Sequence, residues 1–324
     1  FIRLWHEISY YELNLKWFPH TKGGCFRRWY GNNDSVLNFE NKGKELTNFK
    51  GSSVTGIENY FKKYITYGRI GSGKFSSRYT PEGFIPNMAG LSIVSDNETN
   101  LYSILGISNS KLFQILLGIQ NPTLNNPPGV IAKMPYLKIG TDINSVVFQN
   151  ISISKIDWDA HETSWDFETN PLLAVDTDTY IDNIHHVIER HEKETGERIC
   201  IDPAAPELDS LEWRMEQYKQ KWEHLFMQLH ENEEELNRQF IDIYGLQDEL
   251  TPDVPLDEIT ILQQGEIKIT DQYELSDSDG SVFADSDGAV LTTTGDLYLD
   301  WQDDVVIKQF ISYAVGCMTG RYRL

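Results

Sequence analysis

The sequence predicts an α+β protein, in which an irregular, strand-rich domain at 1–157 is followed by an acidic, helix-rich region at 158–324. Short β-branched and aromatic runs between glycine, asparagine and proline turns fill the first part. Charged stretches with apolar residues at helical spacing fill the second. The charge balance also changes sign: residues 1–150 hold 16 Lys and Arg against 10 Asp and Glu, and the remainder holds 12 against 39.

The first part contains three runs with strand character and one run with helical character. The predicted strands are 36–39, 64–67 and 145–148, which are rich in Val, Ile, Tyr and Phe. The predicted helix is 101–119, where leucines and isoleucines recur at helical spacing. Gly106 and Asn109 lie inside this pattern, so a break or a pair of helices is compatible with it.

The second part is dominated by two helical patterns, 179–194 and 207–244. The prolines within 251–255 end the longer one, because proline cannot continue a helix. A small β segment is expected after it. The acidic, serine-rich runs 276–280 and 285–288 are typical of a solvated loop or hairpin.

Composition limits the class of protein. The chain has 324 residues, of which 40% are hydrophobic and 24% charged, as in globular domains. Its longest apolar run, 112–119, is far shorter than the roughly 20 residues that cross a bilayer. Three widely separated cysteines indicate neither a disulfide framework nor a zinc cluster, so we expect a reducing, cytoplasmic location. The first residue is Phe1, without a signal peptide, which we interpret as the start of an excised piece.

Two strings resemble functional loops but lack a decisive residue. The run 68–74 has the glycine and lysine spacing of a nucleotide-binding loop, yet Phe75 stands where a magnesium-binding hydroxyl is needed. The run 126–129 begins Asn-Pro-Pro, like the base-binding loop of amino-methyltransferases, but Gly129 replaces the stacking aromatic residue. We interpret both runs as turns.

Two possible metal-binding groups are also weak. His185, His186 and His191 share a predicted helix, but His186 and His191 point to different faces of it. The Asp-Ser-Asp-Gly runs lack the glutamate that closes a calcium loop. A solvated helix face and a solvated loop are the preferred interpretations, and no metal ligand is assigned.

The run 16–33, K-W-F-P-H-T-K-G-G-C-F-R-R-W-Y-G-N-N, combines cations, aromatics, glycines and amides. Cations beside glycines suit phosphate oxygens, and asparagines can read adenine edges. A second cationic cluster occupies 62–78. The candidate DNA-binding residues are Lys16, Lys22, Arg27, Arg28, Asn32, Asn33, Lys62, Lys63, Arg69, Lys74 and Arg78. The alternative is a turn, a strand and a turn, with Trp17, Phe18, Phe26 and Trp29 in the core.

Several long strings resemble the PglX family, the adenine-specific DNA methyltransferases of BREX phage-defence systems. They lie at 16–33, 72–84 (S-G-K-F-S-S-R-Y-T-P-E-G-F), 108–117 (S-N-S-K-L-F-Q-I-L-L), 121–125 (N-P-T-L-N), 164–169 (S-W-D-F-E-T), 236–256 and 311–322 (I-S-Y-A-V-G-C-M-T-G-R-Y). The resemblance therefore covers nearly the whole chain. After 121–125 the family typically continues with a Val-Gly-Asp type sequence, whereas this chain has Asn126, Pro127 and Pro128.

The resemblance implies a division of labour. This region looks like the target-recognition domain and the helical region after it. The catalytic core, with its S-adenosylmethionine site, would lie upstream. We therefore expect this piece to bind DNA, to lack catalytic residues and a cofactor of its own, and to be inactive alone. The implied partners are double-stranded DNA, the methyltransferase domain and other BREX proteins, with no membrane. The alternative is a protein-interaction scaffold that uses the acidic half.

Overall fold

The computed structural model describes residues 1–52, 54–71, 73–137, 142–174, 193, 209–270 and 298–322. It confirms the mixed α+β class. The chain divides into two compact units: the first comprises Phe1–Phe167 and Phe226–Gln263, and the second comprises Glu168–Leu225 and Gln264–Leu324. The sequence places a single boundary at 157, whereas the first unit also includes a later segment. Apart from residue 193, the predicted helix 179–194 with its histidines lies outside the described residues, as do the acidic runs 276–280 and 285–288.

Two antiparallel three-stranded sheets form the strand part of the first unit. One has the order β1-β3-β2 and the other the order β5-β4-β6. The strands are β1 (Ile2–Leu4), β2 (Trp17–His20), β3 (Ser35–Asn38), β4 (Tyr64–Gly68), β5 (Ser77–Thr80) and β6 (Gly90–Ile93). Predicted strands 36–39 and 64–67 correspond to β3 and β4.

The first unit has more helices than the one that the sequence predicts. They are α1 (Glu40–Asn48), α2 (Glu98–Ser108), α3 (Lys111–Gln120), α4 (Pro128–Ile131) and α5 (Asp142–Asp159). The predicted helix 101–119 is the pair α2 and α3. It breaks where the Ser110 hydroxyl accepts the Phe113 N–H and caps α3. Gly106 lies within α2, where an added Cβ would be 2.9 Å from the Val147 side chain.

The predicted strand 145–148 is wrong, because these residues lie within α5. The run Val146, Val147 and Phe148 has a local preference for strands. However, Ile143, Val147 and Ile151 are buried at intervals of four residues, which is the spacing of one helix face. Packing of that face outweighs the local preference.

The long helix that the sequence predicts at 207–244 is α6 (Leu211–Tyr244). Its 34 residues correspond to about 51 Å of length. Buried Phe226, Leu229, Leu236 and Phe240 recur at helical spacing in the part that belongs to the first unit. Gly245, with a φ of 67°, follows its last residue, as is common at helix ends.

The second unit contains a two-stranded sheet and a helix. Antiparallel β7 (Ile267–Thr270) and β8 (Tyr298–Trp301) are followed by α7 (Asp303–Met318). The Trp301 ring lies 5.8 Å from that of Tyr218, and the Lys219 ammonium lies 2.8 Å from an Asp303 oxygen. No described helix has the length and apolar content needed to cross a membrane.

Candidate nucleic-acid interface

The basic run 16–33 crosses the first unit and is partly a core element. After β2 it turns and comes to lie beside β5. There the Trp29 N–H donates to the Ser77 carbonyl and the Tyr79 N–H donates to the Trp29 carbonyl. The Trp29 side chain is buried. This part of the run therefore follows the core interpretation that the sequence left open.

Arg27 is buried and has internal partners. Its guanidinium donates to an Asp157 carboxylate oxygen at 2.6 Å, and its Nε donates to the Tyr30 carbonyl at 2.7 Å. The same group stacks over the Trp158 ring, 5.1 Å from its centroid. Asp157 also accepts the Leu262 N–H at 2.8 Å. This pair therefore joins the basic run to α5 and to the segment after α6.

Arg28 is the centre of a second buried network. It donates to carboxylate oxygens of Glu233 and Glu258, and its backbone N–H donates to the Thr260 hydroxyl at 3.0 Å. The Trp29 indole donates to the other Glu233 oxygen at 2.6 Å. Burial alone would lower the pKa of Arg28, but the two carboxylates raise it above its usual value. The guanidinium is thus held in its charged form inside the protein.

Arg78 and Asn33 are buried as well. Arg78 donates to the Lys22 carbonyl at 3.2 Å, and burial together with the nearby Arg27 charge lowers its pKa to about 10. A buried charge needs internal partners to offset the free-energy cost of its desolvation, and these partners hold the side chain away from solvent. This burial argues against direct DNA contact by Arg27, Arg28, Arg78 and Asn33.

Five other candidate cations are half-buried or exposed, and they lie in two groups at opposite ends of the strands. Lys16, Lys62 and Lys63 precede β2 and β4, whereas Lys22 and Arg69 follow the same strands. The five residues of β4 separate its two ends by about 13 Å. In the first group, Lys63 pairs with Glu98 at 2.9 Å and Lys16 lies 3.8 Å from Glu12.

Four loops meet at the end of the sheets that carries Lys22 and Arg69. We call this surface the loop face, defined as residues 22–25, 69–71, 87–90 and 121–126. The Arg69 N–H donates to the Ala89 carbonyl at 3.1 Å, and the Asn126 N–H donates to the Arg69 carbonyl at 2.7 Å. An added Cβ at Gly90 would lie 2.8 Å from the Lys22 carbonyl, so this contact requires glycine. Asn32 joins the loop face by donating to the Cys25 carbonyl at 3.1 Å.

The loop face has a sequence signal that the initial interpretation missed. The chain contains 49 Asp and Glu, yet 13–33, 69–81, 84–95 and 99–141 contain none. These segments supply all four loops of the loop face. Neither Lys22 nor Arg69 forms an ion pair with any residue in the part of the chain that the structure describes. The loop face therefore combines available positive charge with loops that carry no negative charge.

Lys74 has a carboxylate partner. Its exposed ammonium contacts Glu258, which also pairs with Arg28. The three side chains line a cavity of about 480 Å³. Burial would raise the pKa of Glu258, but the hydrogen bond from Lys74 and the charge of Arg28 lower it, so this carboxylate stays ionised. It partly neutralises Lys74.

The glycine-rich run 68–74 does not form a nucleotide-binding loop. It connects antiparallel β4 and β5, so no helix N-terminus follows to receive phosphates. Among the described residues, no group of three or more His, Cys, Asp or Glu is arranged to hold a metal ion.

Buried His20, at the end of β2 before the loop face, is expected to make stability depend on pH. Its Nδ1 lies 2.9 Å from the Ile85 carbonyl and its Nε2 lies 2.9 Å from the Asn87 amide nitrogen. Burial lowers its pKa to about 4, opposed by the Ile85 hydrogen bond and reinforced by the Lys22 charge. Because the unfolded pKa is about 6.5, the unfolded state binds more protons between these values. The stability that neutral His20 contributes is therefore fully present above about pH 6.5 and is lost as pH falls toward 4.

The measurement is urea unfolding at pH 7 and pH 5. We expect His20 to account for a loss of about 2 kcal/mol over this interval. The His20→Gln variant should lose that much less stability on acidification than the unmodified chain does. The matched control is His6→Gln, which removes a histidine at an exposed position. Equal pH dependence in the unmodified chain and His20→Gln would exclude His20 as the source.

Comparison with known proteins shows that, over its own full length, the chain is similar to adenine-specific methyltransferases. It is 31% identical to the adenine-specific methyltransferase PglX of Lacticaseibacillus casei (strain Zhang), and 28% identical to the adenine-specific methyltransferase BrxX of Escherichia coli O9:H4 (strain HS). The resemblance to the PglX family is therefore confirmed. The chain spans 23% of the length of each of these relatives. No family model matches it.

Proposed function

We propose that the first unit is a DNA-recognition element of an adenine-specific DNA methyltransferase. The observation that carries this proposal is the loop face, where Lys22 and Arg69 lie on connected loops without acidic residues. Such a surface attracts the phosphate backbone in a protein whose net charge is -21. The similarity of the whole of this chain to 23% of each of two adenine-specific methyltransferases supports the same assignment.

The candidate residues that are not buried have different roles in this proposal. Lys22 and Arg69 contact phosphates and set the register of the duplex, while Asn32 is placed near a base edge. Contacts from Lys16, Lys62, Lys63 and Lys74 are secondary, because three of these four residues have carboxylate neighbours. Methyl transfer from S-adenosylmethionine to an extruded adenine is assigned to other parts of the longer enzyme. The acidic part offers no comparable observation for a scaffold role, since its acidic serine-rich runs lie outside the described residues.

Salt dependence of DNA binding tests the proposal. Fluorescence anisotropy of a labelled random-sequence duplex gives Kd from low to physiological salt for the full chain and for Lys22→Ala/Arg69→Ala. Each lost phosphate contact lowers the slope of log K against log salt by about 0.9. The double variant should therefore bind more weakly, with a slope smaller by about 2.

A matched control removes the same charge elsewhere. Lys44→Ala/Lys50→Ala neutralises two exposed cations away from the loop face and should leave the slope nearly unchanged. Equal slopes for the two double variants would show that net charge alone governs binding. Salt-independent affinity of the unmodified chain would refute the phosphate contacts altogether.

A further inference from the structure

Three large apolar side chains project from the loop face into solvent. Ile70 is 74% exposed, Leu124 is 63% exposed and Met88 is 58% exposed. They belong to three separate loops, which backbone hydrogen bonds bring together. Individual exposed apolar residues are ordinary, but a group on connected loops indicates a surface with a binding role.

The loops that carry Ile70 and Leu124 are braced. The Gly71 N–H donates to the Leu124 carbonyl at 3.0 Å, and Ile70 forms an antiparallel bridge with Asn125. Within the second loop, the Asn121 amide donates to the Asn125 carbonyl at 2.8 Å, and the Thr123 hydroxyl donates to Asn121 at 2.9 Å. The two side chains are therefore presented by an ordered backbone, which reduces the entropy cost of binding.

The surroundings of these side chains favour a polyanion as partner. Arg69 directly precedes Ile70, and its N–H bonds the carbonyl of Ala89, which follows Met88. Lys22 belongs to the same surface, because its carbonyl lies in close contact with Gly90. Apolar wedges flanked by Arg and Lys are the arrangement that proteins insert between base pairs from the minor groove.

We propose that Ile70 and Leu124, together with Met88 on the adjoining loop, insert into a base step of duplex DNA whose phosphates are held by Lys22 and Arg69. The inference deepens the proposed function and rests on it. Insertion unstacks and kinks the duplex at one step, and the cost of unstacking is smallest where the base pair is already weakened. A base is more easily extruded from a duplex that is opened in this way.

The test compares two duplexes of the same sequence, one fully paired and one with a central T·T mismatch, at a single salt concentration. The full chain should bind the mismatched duplex more tightly, by roughly tenfold, because less stacking has to be broken. In the Ile70→Ala/Leu124→Ala variant this preference should fall to about twofold or less. In a separate salt titration with the paired duplex, this variant should keep the slope of the unmodified chain, since both cations remain.

Two controls make the result specific. Leu15→Ala/Ile57→Ala truncates apolar side chains that are 72% and 55% exposed outside the loop face, and it should retain the mismatch preference. Thermal melting by circular dichroism checks that both double variants stay folded, which their exposure predicts. A duplex with 2-aminopurine beside the mismatch reports unstacking directly. Its fluorescence should rise with the unmodified chain and with Leu15→Ala/Ile57→Ala, but not with Ile70→Ala/Leu124→Ala.

The outcomes separate the two proposals. Equal affinity of the unmodified chain for both duplexes, or a preference that survives in Ile70→Ala/Leu124→Ala, overturns insertion while leaving phosphate binding intact. A preference lost equally in the Leu15→Ala/Ile57→Ala control also overturns it. Failure of the unmodified chain to bind either duplex at low salt refutes the proposed function and the inference together.

Discussion

Replacing Arg28 with alanine is expected to lower the free energy of unfolding by about 3–5 kcal/mol. The variant leaves Glu233 buried without its cationic partner, and the cost of an uncompensated buried charge exceeds the modest value of the pair itself. It also removes the connection to Glu258. Urea unfolding monitored by tryptophan fluorescence is the measurement, because Trp29 lies beside the network.

Two comparisons show whether the buried charge causes the loss. The Arg28→Ala/Glu233→Gln variant removes both charges and should recover part of the stability. Lys44→Ala removes an exposed charge and should change stability by at most about 0.5 kcal/mol. If Arg28→Ala costs no more than Lys44→Ala, the network has no structural role. DNA binding lost in Arg28→Ala reports unfolding, so Arg28 cannot serve as a test of phosphate contact.

Gly31→Ala is the substitution with the second largest expected effect, about 2–4 kcal/mol of lost stability. Gly31 has a φ of 119°, which an alanine rarely adopts, and its added Cβ would overlap the Arg27 Nε and lie 2.9 Å from the Trp158 ring. Alanine therefore strains the backbone and also displaces Arg27 from Asp157. Thermal unfolding followed by circular dichroism measures the loss.

Gly56→Ala separates these two contributions. Gly56 has a φ of 69°, also in the left-handed region, but nothing lies within 4 Å of its added Cβ. This variant should lose only the backbone contribution, about 1 kcal/mol. A loss at Gly31 that equals the loss at Gly56 would mean that Arg27 and Trp158 move aside without cost.

The sequence predicts those elements whose pattern is local and long. The helix 207–244 ends at Tyr244 as expected, because its apolar stripe extends over many turns. Strands β3 and β4 are also found where predicted. The run 145–148 is misassigned because its strand-like composition covers only four residues. The helical spacing of buried Ile143, Val147 and Ile151 extends over a longer stretch and determines the structure.

The candidate site is less predictable for a physical reason. Arg27 and Arg28 look like phosphate ligands in sequence, but their partners Asp157 and Glu233 are 130 and 205 residues away. Nothing local distinguishes a cation that folds inward from one that faces solvent. By contrast, the absence of Asp and Glu over 99–141 is a local property that can be found in the sequence without the structure.

The first unit includes the segment Phe226–Gln263, which is synthesised long after Phe1–Phe167. This delays the time at which the unit can complete its fold during synthesis. Arg28 leaves the ribosome 205 residues before Glu233, an interval of roughly 10–40 s at ordinary translation rates. Until then, Arg28 lacks the carboxylates that compensate its burial. Contacts so distant in sequence also slow folding, because a large loop must close first. We therefore expect the first unit to complete its fold only after residue 263 has emerged.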